Sequence, residues 1–299
     1  MAKKKEVLFE FPNPMDNDCL VGHEKTLKTF MDAWNNRDAH PIHPVWMLCG
    51  PRGIGKATLA YKIARQVYGN IGDFFIIDLA RNIDERGNEK PEAKAISVHT
   101  VRAMIEKMQM SSMSGQWRVV LIDSVDELTV AAENAVLKLL EEPPQKTLFL
   151  LVTHQLSNVL PTVRSRARVE KMRPLSISEL RELCVRFLGD EEISSEILKL
   201  ANGSFGKIAH LKAFGGDVIY TELLNILNAK NSTASDVMAV ATKIGAQPAL
   251  YGIVLDAIAH FGLADLYPTA TGAISDITRL NLKPDITIFK IINEIKKCL

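Results

Sequence analysis

Residues 50–58 read G-P-R-G-I-G-K-A-T. Gly50, Gly53 and Gly55 let the backbone wrap until several N–H groups face one anion. The helix that follows adds the positive end of its dipole, and Lys56 reaches for the outer phosphates. The spacing is that of a Walker A phosphate loop, G-x-x-x-x-G-K-S/T. It stands between an apolar run, VWMLC, and a helical one, LAYKIARQVYG, the context such a loop requires. A chance glycine-rich turn is the plain alternative. One group is missing: Ala57 stands where an active loop carries the hydroxyl that holds Mg²⁺, and a methyl offers no oxygen. Thr58, one position on, can touch a phosphate but is badly placed to replace that ligand. Nucleotide binding, with ATP as the expected occupant, stays open; metal-dependent hydrolysis is disfavoured.

A second strand end repeats the pattern. RVVLIDS, 118–124, is an apolar run reaching Asp123, which could orient a metal-bound water in the manner of a Walker B strand. Ser124 follows, where an AAA+ ATPase normally has the glutamate that activates water. Asp126 and Glu127 lie beyond and suit the start of a helix, where acids meet the dipole. Without the hydroxyl and without the base, both positioning and charge stabilisation suffer. The chain is therefore expected not to turn over ATP unaided.

The elements that must hold these residues alternate. Leu27, Phe30, Met31 and Trp34 have helical spacing, VWMLCG reads as a buried strand, and FFIIDLA, RVVLIDS and TLFLLVTH are further strands. ISVHTVRAMIEKMQM reads as a helix, and ENAVLKLLEE as another, stopped by Pro143-Pro144. This order predicts an α/β P-loop domain with a mainly parallel sheet over 1–174. After Arg173-Pro174 the patterns are helical, opening with a capping box at Ser176 and Glu179. The expected organisation is a small helical lid, 175–214, joined at Gly215-Gly216 to an all-helical domain, 215–299.

Composition bounds the rest. Among 299 residues, 36 Lys and Arg face 35 Asp and Glu, a net charge of +1, with 47% apolar and 24% charged residues. That balance excludes long disorder and a strongly basic nucleic-acid module. Cys19, Cys49, Cys184 and Cys298 never form a C-x-x-C pair, so they offer neither a zinc ribbon nor a disulfide framework and read as reduced thiols. No run reaches the roughly 18 apolar residues of a membrane span. The amino terminus has only VLF as an apolar block after Lys3-Lys4-Lys5, too little for a secretory signal. A cytoplasmic location is expected.

GPRGIGKATLA, LIDSVDELTVAAENAVLKLLEEPP, FLLVTHQLSNVLPTVRSRA and LANGSFGKIAHL occur in that order, after an opening LVGHEKTL. Together they resemble the AAA+ clamp-loader subunits of bacterial DNA polymerase III, the delta-prime branch in particular, over about residues 1–213. The most specific piece is NAVLKLLEEPP, a helix ending in an acidic pair and a double proline. TVRSRA matches that family's Ser-Arg-Cys element, with Ala167 in place of cysteine.

The resemblance implies a pentameric hetero-oligomer with gamma or tau and delta subunits, opening a sliding clamp and placing it on primed DNA without reading base sequence. It implies that Arg166 acts as an arginine finger on a neighbour's ATP, that Thr153 is a sensor 1 residue, and that Lys207 takes the sensor 2 position, where active relatives use arginine. It also implies that the C-terminal helices form part of a collar. Many relatives carry a four-cysteine zinc module after the P-loop helix; residues 70–100 contain no cysteine, so no metal is expected there. Two other readings remain: an autonomous AAA+ ATPase such as the motor subunit of the same machine, opposed by Ala57 and Ser124, and a P-loop kinase or nucleotide transferase, opposed by the LLEEPP and SRA blocks.

Overall fold

Strand β1, Val45–Cys49, carries the phosphate loop at its end, and helix α2, Lys56–Tyr68, leaves from the loop's far side. The computed structural model describes residues 13–68, 73–110, 117–229 and 231–299; the Lys3-Lys4-Lys5 run and Gly69 lie outside them. Helix α1, Glu24–Asn35, precedes β1. Then come β2, Phe74–Asp78, α3, Val98–Met110, and β3, Arg118–Asp123. Helix α4, Val130–Glu141, follows, and then β4, Thr147–Thr153. Thr129 caps α4 by accepting from Ala132 N–H, and the helix stops just before the two prolines that cannot continue it. A short α5, Pro161–Arg164, leads into β5, Arg168–Lys171.

The five strands are all parallel, in the order β2-β3-β4-β1-β5. Side chains alternate across the sheet with period two. Trp46, Leu48, Leu148, Leu150 and Val152 face Phe30 and Trp34 of α1 and Leu59 and Ile63 of α2. Val45, Met47, Val120, Ile122, Phe149 and Leu151 face Val101 and Met104 of α3 and Val136 and Leu140 of α4. Burial on both faces is why these strands read as unbroken apolar runs. The register sets Cys49 beside Thr153, and Asp123 beside both Asp78 and Val152, so the candidate residues gather at the carboxyl ends. Open α/β sheets bind their ligands in the crevice there.

Strand β5 was not among the expected elements. Its four residues, R-V-E-K, include a single strongly apolar side chain, and both ends are exposed. An edge strand of this kind is held by backbone pairing to β1 and leaves no hydrophobic signature.

The chain divides into two compact units, Pro12–Glu179 and Leu180–Leu299. Helix α6, Ile177–Leu188, starts at the expected capping box: Ser176 N–H donates to Glu179 Oε2 at 2.7 Å, and Glu179 N–H to Ser176 Oγ at 3.3 Å. Arg173 adds an ion pair, holding the Glu179 carboxyl down at about 2. The second unit continues through α7, Ser195–Ala201, α8, Phe205–Ala213, α9, Gly216–Asn228, and α10, Ala234–Gly245. It ends with α11, Gly252–His260, α12, Tyr267–Arg279, and α13, Pro284–Cys298. Its core includes Leu223, Val240, Ile244, Val254, Ile288 and Ile292. Gly215 turns at φ 65°, and a Cβ on Gly216 would stand 2.7 Å from Leu250 and 2.9 Å from Leu211. The Gly215-Gly216 pair is thus a closely packed turn within this unit. No single helix among the described residues is long and apolar enough to cross a membrane.

Candidate functional site

The loop from Gly50 to Lys56 is shaped by close approach. A Cβ on Gly50 would fall 2.6 Å from the Met172 carbonyl oxygen and 2.9 Å from Ile54 Cδ1, so only glycine lets β1 pass that carbonyl. Gly53 and Gly55 hold φ of 77° and 100°, in the region L side chains avoid. The apex is braced from outside by His23, a buried imidazole of the LVGHEKTL segment whose Nε2 lies 2.7 Å from the Ile54 carbonyl oxygen. Burial pulls the His23 pKa below its ordinary value, which favours the neutral ring in that role. In the sequence this segment carries part of the resemblance and leads into a helical pattern; a histidine 31 residues before Ile54 gives no local sign that it touches the loop.

Lys56 is 3% exposed and turns back on its own loop, donating to the carbonyls of Gly50 and Pro51, each at 2.6 Å. Burial lowers its pKa to about 8, against the opposing pull of Asp123 and Asp126. Asp123, half-buried at the end of β3, is pushed up to about 6, first by burial and then by the charge of Glu127, with Lys56 opposing. Ala57 and Thr58 occupy the first turn of α2, half-buried. Asp126 accepts from His154 N–H at 3.0 and 3.2 Å and so ties the end of β4 to the segment after β3.

Three buried side-chain atoms among the described residues make no hydrogen bond: Ser124 Oγ, Thr153 Oγ1 and His154 Nδ1. All three follow or end the adjacent strands β3 and β4, and His154 is near enough to Lys56 for the ammonium to help depress it. Its pKa falls to about 4, burial first and Lys56 next. Buried polar atoms are seldom left unpaired, and a cluster of them beside a phosphate loop fits a polar ligand that supplies the missing partners. Thr153 was singled out from the sequence; His154, one residue on, was not. The strand pattern ends there, and only the folded arrangement turns it toward the lysine's field.

The remaining two residues stand elsewhere. Lys207, on α8, pairs with Asp256 of α11, Nζ to Oδ1 2.5 Å, so its charge already has a partner inside the helical unit. Arg166, between α5 and β5, is partly exposed. Its Nη1 donates to Thr162 O at 2.9 Å and Ser165 Oγ at 3.4 Å, and its Nη2 lies 2.9 Å from Glu141 Oε1 at the end of α4. Nε has no hydrogen-bond partner among the described residues.

Sequence comparison matches residues 22–176 to the family described as "DNA polymerase III, delta subunit". The delta' subunit of DNA polymerase III from Pseudomonas aeruginosa is 36% identical over 186 residues, 57% of this chain and 56% of that one. The gamma subunit from Buchnera aphidicola is 30% identical over 205 residues, 64% of this chain and 56% of that protein. The tau subunit from Escherichia coli is 29% identical over 186 residues, 59% of this chain and 28% of its own length. The chain thus spans about half or less of the length of these relatives. The Holliday junction branch migration motor RuvB of Thermotoga maritima shares the fold, with a TM-score of 0.52 at 16% identity over 92% of this chain and 91% of that one. The match across more than half of the sequence, over the stretch that includes Lys56, Asp123 and Arg166, means that the chain belongs to the DNA polymerase III delta-subunit family of AAA+ clamp-loader proteins.

Proposed function

We propose that this chain is a delta-prime-type subunit of a bacterial clamp loader, acting in the cytoplasm within a hetero-oligomer that also holds gamma or tau and delta subunits. In this reading its own loop takes up ATP without turning it over, while Arg166 serves the ATP of a neighbouring subunit. The assembly places a sliding clamp on primed DNA, and contact with that DNA is independent of base sequence.

The observation that carries this reading is a phosphate cradle kept while its machinery is lost. Gly50, Gly53, Gly55 and Lys56 retain the loop, yet Ala57 supplies no metal ligand and Ser124 no base. The unpartnered Ser124, Thr153 and His154 atoms support a bound polar ligand. Arg166 stands at an exposed edge with Nε available, and a guanidinium fixed there can stabilise charge on a phosphate that another chain holds. The 36% identity to a delta' subunit supports this choice, while the similarity to gamma and tau keeps the motor-type ATPase as the second reading.

Steady-state ATP hydrolysis separates the two. The chain alone is expected to be silent, and its mixture with gamma and delta subunits, clamp and primed DNA active. Arg166→Ala should lower turnover by the mixture at least about tenfold, whereas Lys56→Ala should leave clamp loading nearly intact in an assembled complex. Hydrolysis by the chain alone, abolished by Lys56→Ala, would establish the motor reading instead.

A further inference from the structure

Helix α4 touches the segment that bears Arg166 at both of its ends. Near the start, the buried Glu133 side chain accepts from Leu160 N–H at 2.7 Å, fixing the residue that opens α5. At the far end, Glu141 Oε1 stands 2.9 Å from Arg166 Nη2. The two carboxylates are eight residues apart, about 12 Å of helical rise. The other terminal nitrogen, Nη1, donates to its own segment, at Thr162 O and Ser165 Oγ. We propose that Glu141 is a positioning residue: with Glu133 it makes α4 a rigid ruler that orients the Arg166 guanidinium so that its Nε edge faces outward, ready for an anionic phosphate on a neighbouring subunit.

The physical case rests on entropy and on alignment. A free arginine carries large rotamer freedom, and a finger that must be ordered at each encounter loses rate. Pairing Nη2 to a carboxylate on a helix, with Nη1 held by its own segment, removes that freedom and fixes the direction of the remaining Nε edge. The pair contributes little to stability, because its side chains are 36% and 44% exposed. Its removal should therefore be felt in the reaction and not in the fold. This inference rests on the reading of Arg166 as a finger, and it assigns Glu141, the first acid of the LLEEPP block, a task that follows from geometry.

The test uses the full chain in the assembled complex. Glu141→Gln keeps the size of the side chain and removes its charge. The expected result is a fall in kcat for ATP hydrolysis of about tenfold with KM for ATP unchanged, and no further loss when the substitution is added to Arg166→Ala. Glu142→Gln, which removes the adjacent exposed charge, should leave kcat as it is. In the isolated chain, NMR of the Arg166 side chain should show faster rotation about Nε–Cζ in Glu141→Gln than in the parent. An unchanged or raised kcat for Glu141→Gln, beside a depressed Arg166→Ala, overturns the positioning role, as does an equal further loss in the Arg166→Ala background. An Arg166→Ala complex with full turnover overturns the finger reading instead; the NMR then still tells whether Glu141 holds the side chain.

Discussion

Asp123 and Lys56 illustrate what a site costs a fold before any ligand arrives. Both are charged groups drawn out of water, and burial moves each pKa toward its neutral form, to about 6 for the acid and about 8 for the amine. For Asp123 the folded pKa lies above the unfolded one. Its contribution to stability is therefore full below about pH 4 and is lost as pH rises through 6. At pH 7.5 the ionised carboxylate destabilises the unliganded chain, so Asp123→Asn should stabilise it by about 1–2 kcal/mol, after discounting for partial exposure. Thermal melts should show a higher Tm for the variant at pH 7.5 and no gain at pH 4; a lower Tm at pH 7.5 would mean that the pair with Lys56 outweighs burial. The Thr153 and His154 atoms are likewise polar groups drawn out of water without a protein partner among the described residues.

At the scale of elements, α4 does more than cover the sheet. Its apolar side supplies Val136 and Leu140 to the core, while Glu133 places a buried carboxylate against the backbone of the segment before α5. Burial raises the pKa of Glu133, and the Leu160 N–H opposes that rise. Glu133→Ala leaves this N–H without its acceptor and should destabilise the chain by about 1–3 kcal/mol, while Glu133→Gln retains an acceptor and should lose less. Urea denaturation followed by circular dichroism measures both, and equal losses would show that the hydrogen bond is not the source. The main helices and strands β1 to β4 were legible in sequence because each depends on periodicity and on near neighbours: the apolar runs, the Ser176–Glu179 capping box, the double proline after α4. Strand β5 was not, since pairing to β1 and not hydrophobicity makes it a strand.

Across the whole molecule, each of the two units has its own buried core, one built on both faces of the sheet and the other among helices. Calorimetry should therefore resolve two unfolding transitions. Leu150→Ala, in the sheet, should weaken one by about 2–5 kcal/mol, and Ile292→Ala, in α13, the other by a similar amount; a single transition moved alike by both would show that the units unfold together. The phosphate loop, the absent hydroxyl at Ala57, the absent base at Ser124 and the LLEEPP and SRA blocks were written in the sequence itself, because each is a short contiguous pattern whose chemistry depends on residue type. The tertiary structure alone decided that His23 braces the loop from a distant helix start, that His154 joins the lysine's field, that Lys207 is already paired with Asp256, and that Glu141 holds Arg166. These are contacts between residues far apart in the chain, and no local pattern encodes a partner that only the packing of sheet and helices brings within hydrogen-bonding distance.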